Sequence, residues 1–67
     1  MSDKIGARLR KLRTDRGETL RDVAKQIGIS GQALNYYENG QRTPRDSVKI
    51  KLAQYYGMTV GELFFAE

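Results

Sequence analysis

The chain has 67 residues, 39% of them hydrophobic and 30% charged, and its twelve Lys and Arg outnumber eight Asp and Glu to give a net charge of +4. This length allows one small domain at most, so we expect residues 1–67 to form a single domain with a modest core. The sequence contains neither cysteine nor histidine, which removes disulfides, thiolate zinc clusters and the usual general bases of neutral pH. We therefore expect a protein that is not an enzyme and that holds no metal or cofactor.

The charge balance and the hydropathy of the chain indicate what kind of partner it binds and where it is located. An excess of positive charge favours a polyanionic partner such as nucleic acid, although solvated basic faces are common on small helical domains. No segment approaches the roughly 20 apolar residues of a membrane span, and the N-terminus lacks the apolar core of a signal peptide. We expect a cytoplasmic protein that contacts no membrane and, in the absence of any ligand motif, no small molecule.

The first predicted helix covers residues 3–16. Ile5, Leu9 and Leu12 recur at i, i+4 and i+7, which is the spacing of one apolar helix face. The other faces of this helix are basic and carry Lys4, Arg8, Arg10, Lys11 and Arg13. These side chains either contact phosphates or cover the core with their aliphatic stems.

Two capped helices are predicted next, with a short turn between them. Thr19 is an N-cap residue, and Asp22 three positions later completes a capping-box pattern. Gly28 ends this second helix, and Ser30 opens a third that runs to the stop signal at residues 39–40. Two helices joined by so short a turn are typical of a helix-turn-helix motif, here over residues 19–39.

A fourth helix is predicted from Thr43 and Pro44, because proline suits the first helical position. Val48, Ile50 and Leu52 alternate as a strand would, whereas Val48, Leu52 and Tyr55 have helical spacing. We favour the helix because a lone strand would have no partner. This assignment gives Ile50 no place on the apolar face.

The last predicted element is a short helix after Gly57. Thr59 and Glu62 repeat the capping-box spacing, and Leu63 and Phe64 supply its apolar side. Together the segments predict an all-α fold, a compact bundle of about five short helices.

Several of these segments resemble the Cro/repressor (Xre-type) helix-turn-helix domains. The resemblance rests on residues 19–24, 27–30 and 37–40 and on Pro44, and it continues through residues 52–64 to cover nearly the whole chain. It implies a lambda-repressor-like fold and a sequence-specific regulator of transcription that binds double-stranded DNA, more commonly as a repressor. A protein-interaction module, such as an antitoxin-like or scaffold helical domain, is the alternative.

The third helix, residues 30–39, is expected to read the DNA major groove. At about 100° per residue, its polar side chains share one arc and its apolar ones lie opposite. Asparagine and glutamine amides suit base edges because they can bond adenine bidentately. In relatives the position of Gly31 often carries a polar side chain that contacts a base; glycine instead lets the backbone approach the DNA closely. Ala33 either touches a thymine methyl or packs on the second helix. The candidate base-contacting residues are Gln32, Asn35, Tyr36, Gly31 and Ala33.

Phosphate contacts are expected at the start of the second helix and in the loop after the third. The candidates are Thr19, Arg21, Asn39, Gly40, Arg42 and Arg45. Leu20 departs from the family pattern, in which a glutamine usually contacts phosphate. By the same resemblance, Arg13 and Glu38 are expected to form a structural ion pair between the first and third helices.

The resemblance also implies a homodimer on a pseudo-palindromic operator. Such regulators pair half-sites about 34 Å apart, and one domain alone contacts few base pairs. Val60, Phe64 and Phe65 are the candidate dimer interface. In the competing interpretation Phe64 closes the core of its own domain and Phe65 is merely exposed.

Overall fold

The computed structural model describes residues 3–66, which form five helices and no strand within a body of 27 × 24 × 23 Å. The helices are α1 (Asp3–Asp15), α2 (Leu20–Ile27), α3 (Gly31–Glu38), α4 (Asp46–Tyr56) and a short π-type turn, α5 (Gly61–Phe65). The predicted all-α fold of five short helices is confirmed. Within residues 3–66 no helix has the length and apolar content needed to cross a membrane.

Every helix contributes side chains to one apolar core. Four leucines are fully buried, one each from α1, α3, α4 and α5, namely Leu9, Leu34, Leu52 and Leu63. Val23, Ala24 and Ile27 of α2 complete the centre, while Ile5 and Leu12 of α1 are partly buried around Leu9. Burying each of these leucines stabilises the fold by about 1.5–3 kcal/mol before the entropy of ordering is subtracted.

The helix-turn-helix segment is fixed by two N-caps and one left-handed residue. Thr19 Oγ1 accepts the Asp22 N–H at 3.1 Å, and Ser30 Oγ accepts the Ala33 N–H at 3.0 Å. Among residues 3–66 the Asp22 carboxylate makes no return bond to Thr19, since aspartate is shorter than the glutamate of a full capping box. Gly28 has φ 86°, which lets α2 end and α3 begin within three residues.

The fourth helix begins later than predicted. We expected Thr43 to cap it and Pro44 to occupy its first turn, but α4 starts at Asp46. Pro44 instead lies fully buried in the preceding loop, and Arg45 holds the N-cap position with φ −70° and ψ 164°. Asp46 then puts a carboxylate in the first turn, where the helix dipole favours negative charge.

The helical assignment of residues 46–56 is confirmed, and it accounts for the position of Ile50. Val48, Leu52 and Tyr56 are buried at helical spacing, whereas Ile50 lies on the outer side and is 48% exposed. The capping box at the start of α5 is complete. Glu62 donates its N–H to Thr59 Oγ1 at 3.0 Å and accepts the Thr59 N–H at 2.9 Å.

Candidate nucleic-acid interface

Helix α1 crosses the C-terminal end of α3 at the buried Gly6. A Cβ atom at this position would lie 2.8 Å from the Tyr37 carbonyl oxygen and still closer to that of Glu38. Both obstacles are backbone atoms and cannot rotate away. The missing side chain at Gly6 therefore lets the backbones of α1 and α3 approach closely, and this contact fixes the position of the C-terminal end of α3 relative to α1.

A second contact between the same helices is ionic. Arg13 donates from Nε to Glu38 Oε2 at 2.8 Å and from Nη2 to Glu38 Oε1 at 3.1 Å, a bidentate pair. The Glu38 side chain is 1% exposed and that of Arg13 is 13% exposed, and the hydrogen bond to Glu38 raises the pKa of Arg13. Arg13 also donates to the Glu18 carbonyl oxygen at 2.8 Å. The structure thus brings together the two residues expected to pair, and their pairing joins α1, α3 and the loop before α2.

The outer face of α3 carries the polar side chains expected to read bases. Gln32 is exposed, and its Nε2 donates to the Tyr36 hydroxyl at 2.8 Å. The guanidinium carbon of Arg42 lies 4.8 Å from the centre of the Tyr36 ring, within the range of a cation–π contact. Arg42, expected to contact phosphate, is therefore also packed on a candidate base reader.

A second set of bonds runs along the neighbouring strip of this face. Asn39 Nδ2 donates to Asn35 Oδ1 at 3.2 Å, and Arg10 Nη2 of α1 donates to Asn39 Oδ1. The Asn39 side chain, a phosphate candidate, therefore has both ends of its amide engaged within the protein. Its backbone N–H closes α3 by donating to the Asn35 carbonyl oxygen at 3.0 Å.

The two small candidates lie at the start of α3. Gly31 is partly buried, and a Cβ there would meet open space within the described part of the chain. Ala33 is also partly buried and its N–H is taken by Ser30. The first turn of α3 thus presents backbone and one methyl group beside Gln32.

The remaining phosphate candidates flank α3 in the sequence. Thr19, Arg21, Arg42 and Arg45 are exposed and Gly40 is partly exposed. Among the described side chains of residues 4–66, no carboxylate forms an ion pair with Arg21, Arg42 or Arg45. Leu20 is partly buried against the core, in keeping with the absence of a polar phosphate contact at that position.

The sequence analysis gave Gly6 no role, and it left Arg8 and Arg10 as residues that either contact phosphates or cover the core. In the structure Gly6 and Arg10 of α1 support the interface. A glycine inside an amphipathic helix is the one available signal, since it costs helix stability and often marks a close approach. Arg8 donates to the carbonyl oxygens of Leu63 and Ala66, each at 2.9 Å, so it holds α5 rather than a phosphate.

The candidate dimer residues do not form one exposed patch. Phe64 is 3% exposed and belongs to the core, as the competing interpretation expects, and its contribution to a dimer interface stays a prediction. Phe65 is 70% exposed, and Val60 is partly buried at the edge of the core. Lys49 Nζ lies 5.2 Å from the centre of the Phe65 ring.

The helix-turn-helix domain family matches residues 4–64 of the chain. The transcriptional regulator DdrOP3 of Deinococcus deserti is 40% identical over 60 residues, which cover 90% of this chain and 46% of that protein. The cryptic phage CTXphi transcriptional repressor RstR of Vibrio cholerae is 33% identical over 59 residues, or 88% and 53% of the two chains. The crystal structure of the clp gene regulator ClgR of Corynebacterium glutamicum superimposes with a TM-score of 0.81 at 28% identity, covering 91% of this chain and 65% of that one.

The chain belongs to the helix-turn-helix domain family, because the match covers all five helices except the ends of α1 and α5. The resemblance to Cro/repressor-type domains is thereby confirmed. The chain spans about half the length of the curated relatives DdrOP3 and RstR.

Proposed function

We propose that the protein binds double-stranded DNA sequence-specifically and regulates transcription, most simply by repression. The observation that carries this proposal is the outer face of α3, where amides and a phenol are ordered by hydrogen bonds on a helix that α1 holds in place. A helix of this kind enters the major groove in helix-turn-helix proteins. The names of the relatives, which are regulators and a repressor, support the same function.

The contacts divide into two kinds. Gln32, Asn35 and Tyr36 read base edges, while Gly31 and Ala33 let the first turn of α3 approach them closely. Phosphates are held by groups at the start of α2 and in the loop after α3. These groups belong to Thr19, Arg21, Asn39, Gly40, Arg42 and Arg45. For Asn39 the contributing group is the second hydrogen of its side-chain Nδ2, since its Oδ1 accepts from Arg10, its other Nδ2 hydrogen is donated to Asn35, and its backbone N–H closes α3.

The proposed function is binding without a catalytic step, and we propose that the protein performs it in the cytoplasm. The relatives named above are regulators of transcription, which supports binding over catalysis. The competing function, docking to another protein, has no comparable support, because the outer face of α3 is lined by base-reading side-chain types.

We also propose a homodimer on a pseudo-palindromic operator. One α3 helix contacts too few base pairs for useful specificity, and two-fold pairing doubles the site. Phe65, with Val60 beside the core, is the available apolar surface near the end of the described chain. Sedimentation of the wild type and of Phe65→Ser should show weaker association for the variant. A wild type that stays monomeric at high micromolar concentration and binds one molecule per duplex contradicts the dimer.

A selection on random duplexes tests the function itself. The wild type should enrich an inverted repeat, and a variant combining Gln32→Ala, Asn35→Ala and Tyr36→Phe should enrich none. Lys51→Ala with Gln54→Ala is the matched control, because these residues line a groove between α2 and α4, and it should select the wild-type site. Absence of duplex binding by the folded wild type at low salt would favour the protein-interaction module.

A further inference from the structure

We propose that Arg10 of α1 is a positioning residue that orients the Asn35 amide through Asn39, so that Asn35 reads guanine rather than adenine. The inference rests on the proposed DNA-binding function and names the base that one side chain of α3 recognises.

The orientation of the Asn39 amide follows from the chemistry of Arg10. A guanidinium only donates hydrogen bonds, so its contact with Asn39 requires the Oδ1 atom of the amide. Asn39 Nδ2 must then point the other way, and it donates to Asn35 Oδ1 at 3.2 Å. Each bond in this series fixes the direction of the next.

Arg10 is itself held in place. Its Nε lies 3.7 Å from Oε1 of the buried Glu38, the carboxylate that Arg13 holds bidentately. The Arg10 side chain is 50% exposed. It contacts the buried Glu38 carboxylate on one side and donates to Asn39, at the edge of the outer face of α3, on the other. The ion pair between α1 and α3 is thereby connected to the orientation of an amide on the outer surface.

The bond from Asn39 takes one of the two lone pairs of Asn35 Oδ1 and holds that oxygen towards Asn39. Both hydrogens of Asn35 Nδ2 remain available to a base edge. In the major groove guanine presents two adjacent acceptors, N7 and O6, and no donor. Adenine pairs best with an amide that offers both its oxygen and its nitrogen to the same base, and the bond from Asn39 holds the Asn35 oxygen away from that arrangement.

Gln32 on the same face differs in this respect. It donates from Nε2 to the hydroxyl of Tyr36 at 2.8 Å, and a tyrosine hydroxyl can donate as well as accept. The Gln32 amide can therefore turn over without losing its partner. Asn35 differs from Gln32 because its amide orientation is fixed: the series of hydrogen bonds that reaches it begins at Arg10, which can only donate.

The experiment first locates the base pair at which Asn35→Ala loses discrimination, and then compares affinities for all four bases there. The wild type should favour guanine over adenine by about tenfold, the scale of one good base contact. Arg10→Ala should bring this ratio close to one, whereas Arg10→Lys, which still only donates, should retain most of it. Lys11→Ala is the matched charge control, since Lys11 is paired with Asp15 on the outside of α1, and it should leave the ratio unchanged.

A second variant reverses the series without removing Arg10. In Asn39→Asp the carboxylate still accepts from Arg10 but has no N–H for Asn35, so the Asn35 amide turns and presents its oxygen. Preference should move from guanine to a base with an exposed amino group, adenine or cytosine. Circular dichroism checks that each variant folds.

Two results overturn the proposal. One is a wild type that prefers adenine at this position; the other is an Arg10→Ala variant that loses the same factor of affinity on all four duplexes, as a phosphate ligand does. Both differ from failure of the proposed function, in which the wild type binds no duplex at all.

Discussion

Gln32 and Arg45 are the single residues that best separate base reading from phosphate binding. Gln32→Ala should cost about 1–3 kcal/mol on the preferred duplex and relax preference mainly at one base pair. Arg45→Ala should weaken preferred and scrambled duplexes by the same factor, because a phosphate carries no sequence information. Titrations of both variants on both duplexes check this. The two roles would be reversed if Gln32→Ala lost the same factor of affinity on both duplexes and Arg45→Ala lost the preference between them.

Arg42 is less suitable for that comparison. It packs over the Tyr36 ring, so its removal disturbs a base reader as well as a phosphate contact. The sequence places Arg42 in the loop after α3 but cannot reveal this packing, since it depends on where the loop turns back. Arg42→Ala should accordingly show both a uniform loss and a change of preference at the base read by Tyr36.

Tyr56 carries a buried hydroxyl for which the described residues provide no hydrogen-bond partner. Burial and the neighbouring carboxylates of Glu38 and Glu18 raise its pKa to about 12. The pKa of Tyr56 is higher in the folded state than in the unfolded state. The unfolded chain therefore loses this proton first, and the free energy of unfolding falls as the pH rises from about 10 to 12.

Tyr56→Phe should therefore leave stability at pH 7 unchanged or raise it by up to about 1 kcal/mol, because an unpaired buried group is removed. It should also reduce the loss of stability between about pH 10 and 12. Urea unfolding at a series of pH values measures both effects. Tyr37→Phe is the control for a partly buried tyrosine; a large destabilisation of Tyr56→Phe at pH 7 would show that its hydroxyl is bonded.

Among the helices, α1 and α3 pack so closely at Gly6 that one added methyl group should lower the stability of the fold. Gly6→Ala adds a methyl group against the Tyr37 and Glu38 carbonyl oxygens, and overpacking of this kind costs about 1–3 kcal/mol. Helix propensity alone would favour alanine by roughly 1 kcal/mol, so net destabilisation identifies the close approach. Denaturant unfolding measures the change.

Gly31→Ala is the matched control for stability. Its new Cβ meets open space within the described part of the chain, so the same chemical change should stabilise α3 slightly. If Gly6→Ala were as stable as Gly31→Ala, the two helices would be able to separate at no cost.

The elements also show what the sequence could predict. Thr19, Gly28 and Ser30 carry local capping chemistry, and the helix-turn-helix boundaries followed from them. Thr43 and Pro44 carry a similar local pattern, but burial of the proline moved the start of α4 to Asp46. The reading face of α3 followed from helical periodicity, whereas Gly6 and Arg10 act through contacts with residues about 30 positions away, which no local pattern records.

At the scale of the whole molecule, the net charge of +4 does not say which arginines are available to DNA. Arg8 binds carbonyl oxygens, Arg13 binds Glu38, and Arg16 forms an ion pair with Glu18 at 2.8 Å. The exposed arginines without such partners among the described side chains, residues 4–66, include Arg21, Arg42 and Arg45. The positive surface is therefore defined by which arginines remain unpaired.

The salt dependence of binding should follow the same division. Each phosphate contact contributes about −0.9 to the slope of log affinity against log salt, so Arg45→Ala should reduce the slope by about one. Arg16→Ala removes the same charge from a side chain already paired, and its slope should match that of the wild type. Equal reductions for both variants would mean that net charge, rather than contact, controls affinity.

The bonds from Arg8 to the end of the described chain also bear on the rates of folding and unfolding. They join residues 54 to 58 positions apart, and contacts that close so long a loop tend to form after the local ones. Arg8→Ala should then leave the folding rate nearly unchanged and, for a loss of about 1 kcal/mol, speed unfolding roughly fivefold. Stopped-flow kinetics with Lys25→Ala as the control measures both rates; a slower folding limb would mean that the two ends of the chain meet before the transition state.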